Sequence, residues 1–141
     1  MRFLVTGGAG FIGCNFAKFA VGCGHDVTVL DKLTYAGSRR NLTDVSKKIT
    51  FVKGDITRPS DVRKSMKGAD IVINFAAETH VDRSIEGAGP FITTNILGTH
   101  VLLEAARHSG IEKFVHISTD EVYGSIDKGS FEETDMINPR N

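Results

Sequence analysis

The sequence predicts an α/β fold built on an open parallel sheet with helices on both faces. Short apolar runs and amphipathic stretches alternate along the chain, strand then helix then strand, which is the pattern of a parallel sheet with crossover helices. The runs Phe3-Leu4-Val5 and Ile71-Val72-Ile73 carry no polar residue, as expected of strands covered on two faces. A glycine-rich turn, Thr6-Gly7-Gly8-Ala9-Gly10-Phe11-Ile12-Gly13, joins the first run to the first helical stretch. Five such runs with right-handed crossovers give an expected strand order of 3-2-1-4-5 in one domain over residues 1–141, a Rossmann-like sheet.

Composition narrows the function classes. At 141 residues the chain is long enough for one domain, burying about two-thirds of its extended surface. Its 17 Lys and Arg balance 17 Asp and Glu, and no basic patch stands out, which argues against a nucleic-acid surface. No apolar run is long enough to span a bilayer, and Thr6 and the glycines break up any signal-peptide layout, so a cytoplasmic protein without membrane partners is expected. Cys14 and Cys23 lack metal-site spacing and read as two reduced thiols; no metal is expected.

In the turn, Gly7 permits the tight bend, Gly10 lets backbone approach a pyrophosphate, and Gly13 lets the helix pack close to the strand. The helix N-terminus offers unpaired N–H groups and a positive dipole end to phosphates. A glycine turn without ligand is the alternative. The following strand, Val27-Thr28-Val29-Leu30-Asp31, places an acid 18 residues beyond Gly13, where a ribose-binding carboxylate is expected, and this favours a dinucleotide. Lys32, Arg39 and Arg40 have the charge to neutralise a 2′-phosphate, but Asp31 would repel one, so NAD is favoured over NADP.

Ile12, Phe16, Phe19 and Ala20 make one apolar helix face, which Gly22-Cys23-Gly24 ends; Cys14 is expected against the preceding turn and His25 in an exposed loop. A short helix is expected around Asn41 to Val45, and a third strand from Ile49 to Lys53. Asp55 suits either an adenine amino group or the cap of the next turn. Thr57 to Gly68 reads as a helix with Thr57 or Ser60 as N-cap and Pro59 in its first turn. The fourth strand is expected from Ile71 to Ala77, followed by a polar loop, Glu78 to Ser84, beyond the carboxyl edge where such sheets bind ligands. Thr79 reads as functional there, while His80 and Arg83 stay open. Phe91 to Ser109 reads as a long helix with apolar residues on more than one stripe, hence a subunit interface. Mid-helix Asn95 suits either a bond to irregular backbone or exposure, and His100 and His108 fall on the solvated side.

The fifth strand is expected from Lys113 to Ser118, with loop from Gly124 to the end. At its end Thr119, Asp120 and Glu121 put a hydroxyl and two carboxylates on the rim of the glycine turn. Neighbours in an extended strand point apart, so convergence of the two acids requires the strand to be ending there. They form either an acid and base pair or a solvated acidic turn.

Four stretches carry a resemblance: Thr6 to Gly13, Asp31-Lys32-Leu33-Thr34-Tyr35-Ala36-Gly37, Ala76-Ala77-Glu78-Thr79-His80-Val81-Asp82-Arg83-Ser84, and Ser118-Thr119-Asp120-Glu121-Val122-Tyr123-Gly124. Together they resemble the dTDP-glucose 4,6-dehydratases of the extended short-chain dehydrogenase/reductase superfamily, over nearly the whole chain. The resemblance implies a lyase reaction with an internal redox cycle. Hydride leaves C4 of the glucose unit for NAD, the C5 proton and C6 hydroxyl are eliminated as water, and hydride returns to C6. It implies Asp120 as acid, Glu121 as base and Thr119 bonding near O4. It implies NAD contacts from Gly7, Gly10, Phe11, Ile12, Gly13, Asp31, Lys32, Leu33, Thr34, Asp55, Ile56, Phe75, Ala76, Ala77, Glu78, Thr79 and Thr94, with Thr79 also touching the sugar. Many members have Ser at Thr79. The family's first step uses a Tyr-x-x-x-Lys pair, whose lysine lowers the tyrosine pKa. Here Tyr35 is followed four residues on by Arg39, and Tyr123 by Asp127. The chain thus resembles the N-terminal portion of such an enzyme, truncated before the tyrosine and the sugar-nucleotide domain. It is expected to be inactive alone, with a nucleotide-sugar partner and a homodimer for the full-length form. The alternatives are a sugar-nucleotide 4-epimerase, a UDP-sugar dehydratase, or a non-catalytic dinucleotide-binding module.

Overall fold

The computed structural model describes residues 1–140, and of Val81 only the backbone; Asn141, which closes the expected domain, lies outside the described residues. Five parallel strands, β1 (Arg2–Thr6), β2 (Asp26–Asp31), β3 (Ile49–Lys53), β4 (Ile71–Asn74) and β5 (Lys113–His116), lie in the expected order β3-β2-β1-β4-β5. Thr6 is in register with Leu30 on one side and Asn74 on the other, so the carboxyl ends of the three central strands are level.

Each face of the sheet has its own core. Val5, Val27 and Val29 pack under helix α1 (Phe11–Gly22) and a 3₁₀ helix, Arg39–Val45, which buries Leu42 and Val45. Leu4, Leu30 and Val72 pack on the opposite face under α2 (Pro59–Met66) and α5 (Thr99–His108). Adjacent residues Leu4 and Val5 enter different cores because strand side chains alternate. Each fully buried Leu or Val of this kind contributes about 1.5–3 kcal/mol.

Helix α1 presents a different face from the one its large residues suggest. Gly13, Cys14, Ala17 and Ala20 are buried and Phe16 is half-buried, while Ile12 and Phe19 are 61% and 68% exposed. The reason is proximity. A Cβ at Gly13 would overlap the Gly7 carbonyl oxygen, and only small side chains fit where helix and turn approach so closely. Cys14 packs back on the turn as expected, its thiol donating to the Phe11 carbonyl at 3.2 Å. His25 is not an exposed loop residue; it is half-buried with its ring 5.2 Å from that of Phe3.

Several boundaries differ from expectation. Helix α2 starts at Pro59 behind Arg58, and neither Thr57 nor Ser60 is its N-cap. The loop before it is braced instead by Asp61 Oδ2, which accepts from the Asp55 N–H at 3.0 Å. Strand β4 stops at Asn74 rather than Ala77, because Asn74 Oδ1 takes the Ala76 N–H at 3.1 Å out of the ladder. Strand β5 stops at His116 rather than Ser118, one residue before its last bond to β4, Ile117 N–H to Asn74 carbonyl. The polar stretch expected as loop contains a short helix, α3 (Val81–Glu86), with no buried side chain among those described; Asp82 in its first turn suits the helix dipole.

The long helix expected from Phe91 to Ser109 is present as α4 (Gly89–Phe91), a π-helical segment Ile92–Gly98 and α5 in unbroken succession. Ile92, Ile96, Leu97 and Leu103 stay exposed along it, as do His100 and His108. A 3₁₀ helix, Asp120–Tyr123, follows the strand end, just before the loop expected from Gly124. The remaining described chain is irregular but folds back, with the Asn138 N–H on the Val122 carbonyl at 2.9 Å and the rings of Tyr123 and Phe131 stacked. Among the described residues no helix is long and apolar enough to cross a membrane.

Candidate nucleotide-binding and active site

The turn after β1 has the shape its glycines require. Gly7 has φ +66° and donates to the Leu30 carbonyl at 2.9 Å; a Cβ there would lie 2.6 Å from the Ala76 nitrogen. The segment Phe75-Ala76 therefore passes directly over the turn. Helix α1 starts behind Gly10, which supplies no side-chain cap, so the first N–H groups at Phe11, Ile12 and Gly13 have neither a cap nor an intrahelical acceptor. Such a helix start binds anions through N–H groups and dipole together. Phe11, 82% exposed, adds apolar surface beside it.

Asp31 closes the other wall. Its Oδ2 accepts from the Ala9 N–H at 2.9 Å and its Oδ1 from the Leu33 N–H at 2.7 Å. Two of the carboxylate's roughly four acceptor positions are thus used for orientation, so it has capacity to accept further hydrogen bonds. Leu33 has φ +59°, a left-handed backbone that bends the segment away from the strand. Of the three cations that follow Asp31 in sequence, Lys32 is paired with Asp55 Oδ2 at 2.7 Å and Arg39 lies over the Phe51 ring at 4.7 Å.

Asp55 is the turn-capping acid that one sequence reading allows. Its Oδ1 accepts from the Thr57 N–H at 3.0 Å and hydroxyl at 2.9 Å. Partial burial pushes its carboxyl up, but the bonds from Lys32 and Thr57 together outweigh this and hold it below the usual carboxylate value. The neighbouring Ile56 packs on Gly98, where a Cβ would lie 2.6 Å from Ile56 Cδ1. This brings the loop after β3 against the π-helical segment that carries Thr94.

Asn95 lies in the same π-helical segment and resolves its own ambiguity. Its Oδ1 accepts from the Glu78 N–H at 2.8 Å and its Nδ2 donates to the Glu78 carbonyl at 2.9 Å. Glu78 and Thr94 are thereby brought to one place, with Thr79 next in sequence and exposed.

The strand ends are tied together by a residue that sequence reasoning passed over. Asn74, 1% exposed, accepts from the Thr6 hydroxyl and the Ala76 N–H, and its Nδ2 donates to His116 Nδ1 at 3.0 Å. One amide side chain thus joins the ends of β1, β4 and β5. Its signal was visible: an amide closing an otherwise apolar run must find buried partners. Beyond β5, Thr119 accepts from the Glu121 N–H at 3.3 Å and donates to Asp120 Oδ1 at 3.2 Å. The 3₁₀ helix that starts here sets successive side chains about 120° apart, so Asp120 and Glu121 no longer point to opposite faces as strand neighbours do.

Comparison with known proteins bears on the family and the fold. A family model described as GDP-mannose 4,6 dehydratase matches residues 4–141. The chain belongs to the GDP-mannose 4,6-dehydratase family. Within this family, it is 52% identical to the low-salt glycan biosynthesis protein Agl12 of Haloferax volcanii, covering 100% of this chain and 46% of the relative. It is 50% identical to the dTDP-glucose 4,6-dehydratase of Streptomyces niveus, covering 99% of this chain and 44% of the relative. The solved structure of the dTDP-glucose 4,6-dehydratase DesIV from Streptomyces venezuelae, with NAD bound, superimposes with a TM-score of 0.93 at 48% identity, covering 99% of this chain and 46% of that one. The resemblance seen in the sequence motifs is therefore borne out. The chain spans less than half the length of these relatives.

Proposed function

We propose that this chain is the NAD-binding part of a nucleotide-sugar 4,6-dehydratase that converts dTDP-glucose to its 4-keto-6-deoxy product. The observation that carries the reading is the uncapped helix start behind Gly10, enclosed by Asp31 on one side and the Phe75-Ala76 crossing on the other. The cradle suits a dinucleotide because the bare Gly7 and Gly13 let the turn, the helix start and the Phe75-Ala76 crossing come to backbone contact, and the helix start between them has no side-chain cap. Phe11, Ile12 and Gly13 hold the pyrophosphate; Asp31, Lys32, Leu33 and Thr34 hold the adenosine ribose; Asp55 and Ile56 flank the adenine. Phe75, Ala76, Ala77, Glu78, Thr79 and Thr94 line the path towards the nicotinamide. NAD is preferred to NADP because Asp31 repels a 2′-phosphate and Lys32 and Arg39 are engaged elsewhere.

Bound NAD would accept hydride from the sugar and return it. The chain's own residues supply the proton chemistry: Asp120 donates to the departing C6 hydroxyl, Glu121 takes the C5 proton, and Thr119 and Thr79 orient the sugar. The 141 residues contain no Tyr-x-x-x-Lys pair, so the isolated stretch is expected to bind nucleotide without turning over sugar. The exposed Ile92, Ile96, Leu97 and Leu103 support a homodimer of the full-length protein built on this helix. The test is titration of the full-length protein with NAD and NADP, followed by assay of 4-keto-6-deoxy sugar from dTDP-glucose. Tight NAD binding with product formation is expected; absence of NAD binding would overturn the reading.

A further inference from the structure

The strand order places β2 and β4 on opposite sides of β1. The segments leaving their carboxyl ends therefore flank the glycine turn from opposite sides. The segment after β2 is fastened to the turn: Ser38 N–H and Asn41 Nδ2 both donate to the Ala9 carbonyl, at 3.0 and 2.8 Å, and the Ala36 carbonyl oxygen lies 3.9 Å from a Cβ built on Gly10. The segment after β4 is fastened by Asn95 to Glu78 and continues into α3. The two meet at one place. The Arg83 guanidinium lies 3.9 Å above the centre of the Tyr35 ring, with the His80 ring 6.4 Å from Tyr35 in edge orientation. Tyr35 is half exposed and Arg83 exposed, so the contact is not a by-product of core packing.

We propose that Tyr35 and Arg83 are positioning residues for the dinucleotide. Their stacked pair joins the two flanking segments across the mouth of the cleft and slows nucleotide release. The contact is cation on ring face, so the ring and the cation carry it and the phenol hydroxyl does not. This inference rests on the nucleotide reading above and assigns a role to Arg83, which the motif reading leaves open. His80 is a minor edge contact of the same pair.

The test is stopped-flow release of NADH from the full-length protein, chased with excess NAD, with thermal denaturation of each variant alongside. Arg83→Gln and Tyr35→Leu are each expected to speed release about three- to tenfold, the range of an exposed to partly desolvated cation–ring contact. Tyr35→Phe is expected to keep the wild-type rate, and the double variant to be no faster than either single one. Unchanged release in both Arg83→Gln and Tyr35→Leu would overturn the inference while leaving the nucleotide site intact. So would additive effects, or a Tyr35→Phe variant as fast as Tyr35→Leu. A wild-type protein that binds no NADH would overturn the nucleotide reading itself, and this inference with it.

Discussion

Asn95 holds both backbone polar groups of Glu78, accepting from its N–H and donating to its carbonyl. The side chain that does this comes from a π-helical turn, whose extra residue per turn shifts Asn95 out of the regular helical positions. Asn95→Ala leaves two half-buried backbone groups without these partners. It is expected to cost about 1–3 kcal/mol of stability and to weaken NADH binding several-fold, as read by urea denaturation and fluorescence titration. Asn95→Asp, which keeps an acceptor and loses the donor, is expected to fall between.

The glycines divide by what a Cβ would meet. At Gly13 it would strike the Gly7 carbonyl, backbone that cannot step aside, whereas at Gly22 it would meet open space at the end of the same helix. Gly13→Ala is expected to destabilise by about 1–3 kcal/mol and to abolish nucleotide binding. Gly22→Ala is expected to stabilise by up to ~1 kcal/mol and to leave binding alone. Parallel denaturation curves check both.

Asp55 makes one limb of the acid stability curve. Its folded-state carboxyl lies below its ordinary value, because the bonds from Lys32 and Thr57 outweigh the opposing effect of burial. A depressed carboxylate contributes stability that is present above its unfolded pKa, about 4, and is lost as pH falls through the folded value. Wild-type protein is therefore expected to lose stability below about pH 4, and Asp55→Asn is expected to flatten that limb while lowering the neutral plateau. Urea midpoints between pH 2 and 7 provide the measurement, with Lys32→Ala flattening the limb in part.

In the full-length protein, Asp120→Asn and Glu121→Gln are expected to slow water elimination by roughly 10²–10⁴-fold while C4 oxidation survives. Rapid-quench analysis should then find a 4-keto sugar that retains its C6 hydroxyl. Loss of oxidation and elimination together would mean a site disrupted as a whole, and a wild-type protein that oxidises C4 without eliminating water would argue for an epimerase-like site.

Asn74→Leu removes the amide that accepts from Thr6 and Ala76 and reaches His116. The Thr6 hydroxyl stays buried and the Ala76 N–H half-buried without it, while the exposed His116 can turn to water, so a loss of about 2–4 kcal/mol is expected. Thr6→Val combined with Asn74→Leu should cost less than the sum, since the Thr6 hydroxyl is then no longer stranded. A thermal double-mutant cycle measures this coupling.

The sequence alone determined the strand order, the glycine turn, the acid at the end of β2 and the acidic rim at the end of β5. These depend on local signals: runs that are apolar on both faces, glycines at fixed offsets, and chain connectivity that admits few topologies. Tertiary structure decided which side chains those elements turn inward. Helix α1 buries Gly13, Cys14, Ala17 and Ala20 rather than its larger residues because it lies too close to the turn for anything bigger, a distance no periodicity encodes. Tertiary structure also decided the partners of Asn74, Asn95, Asp55 and Arg83, which bond across 42, 17, 23 and 48 residues of chain respectively. Such bonds satisfy polar groups that the fold has already brought together, and the sequence shows only that each such group needs a partner.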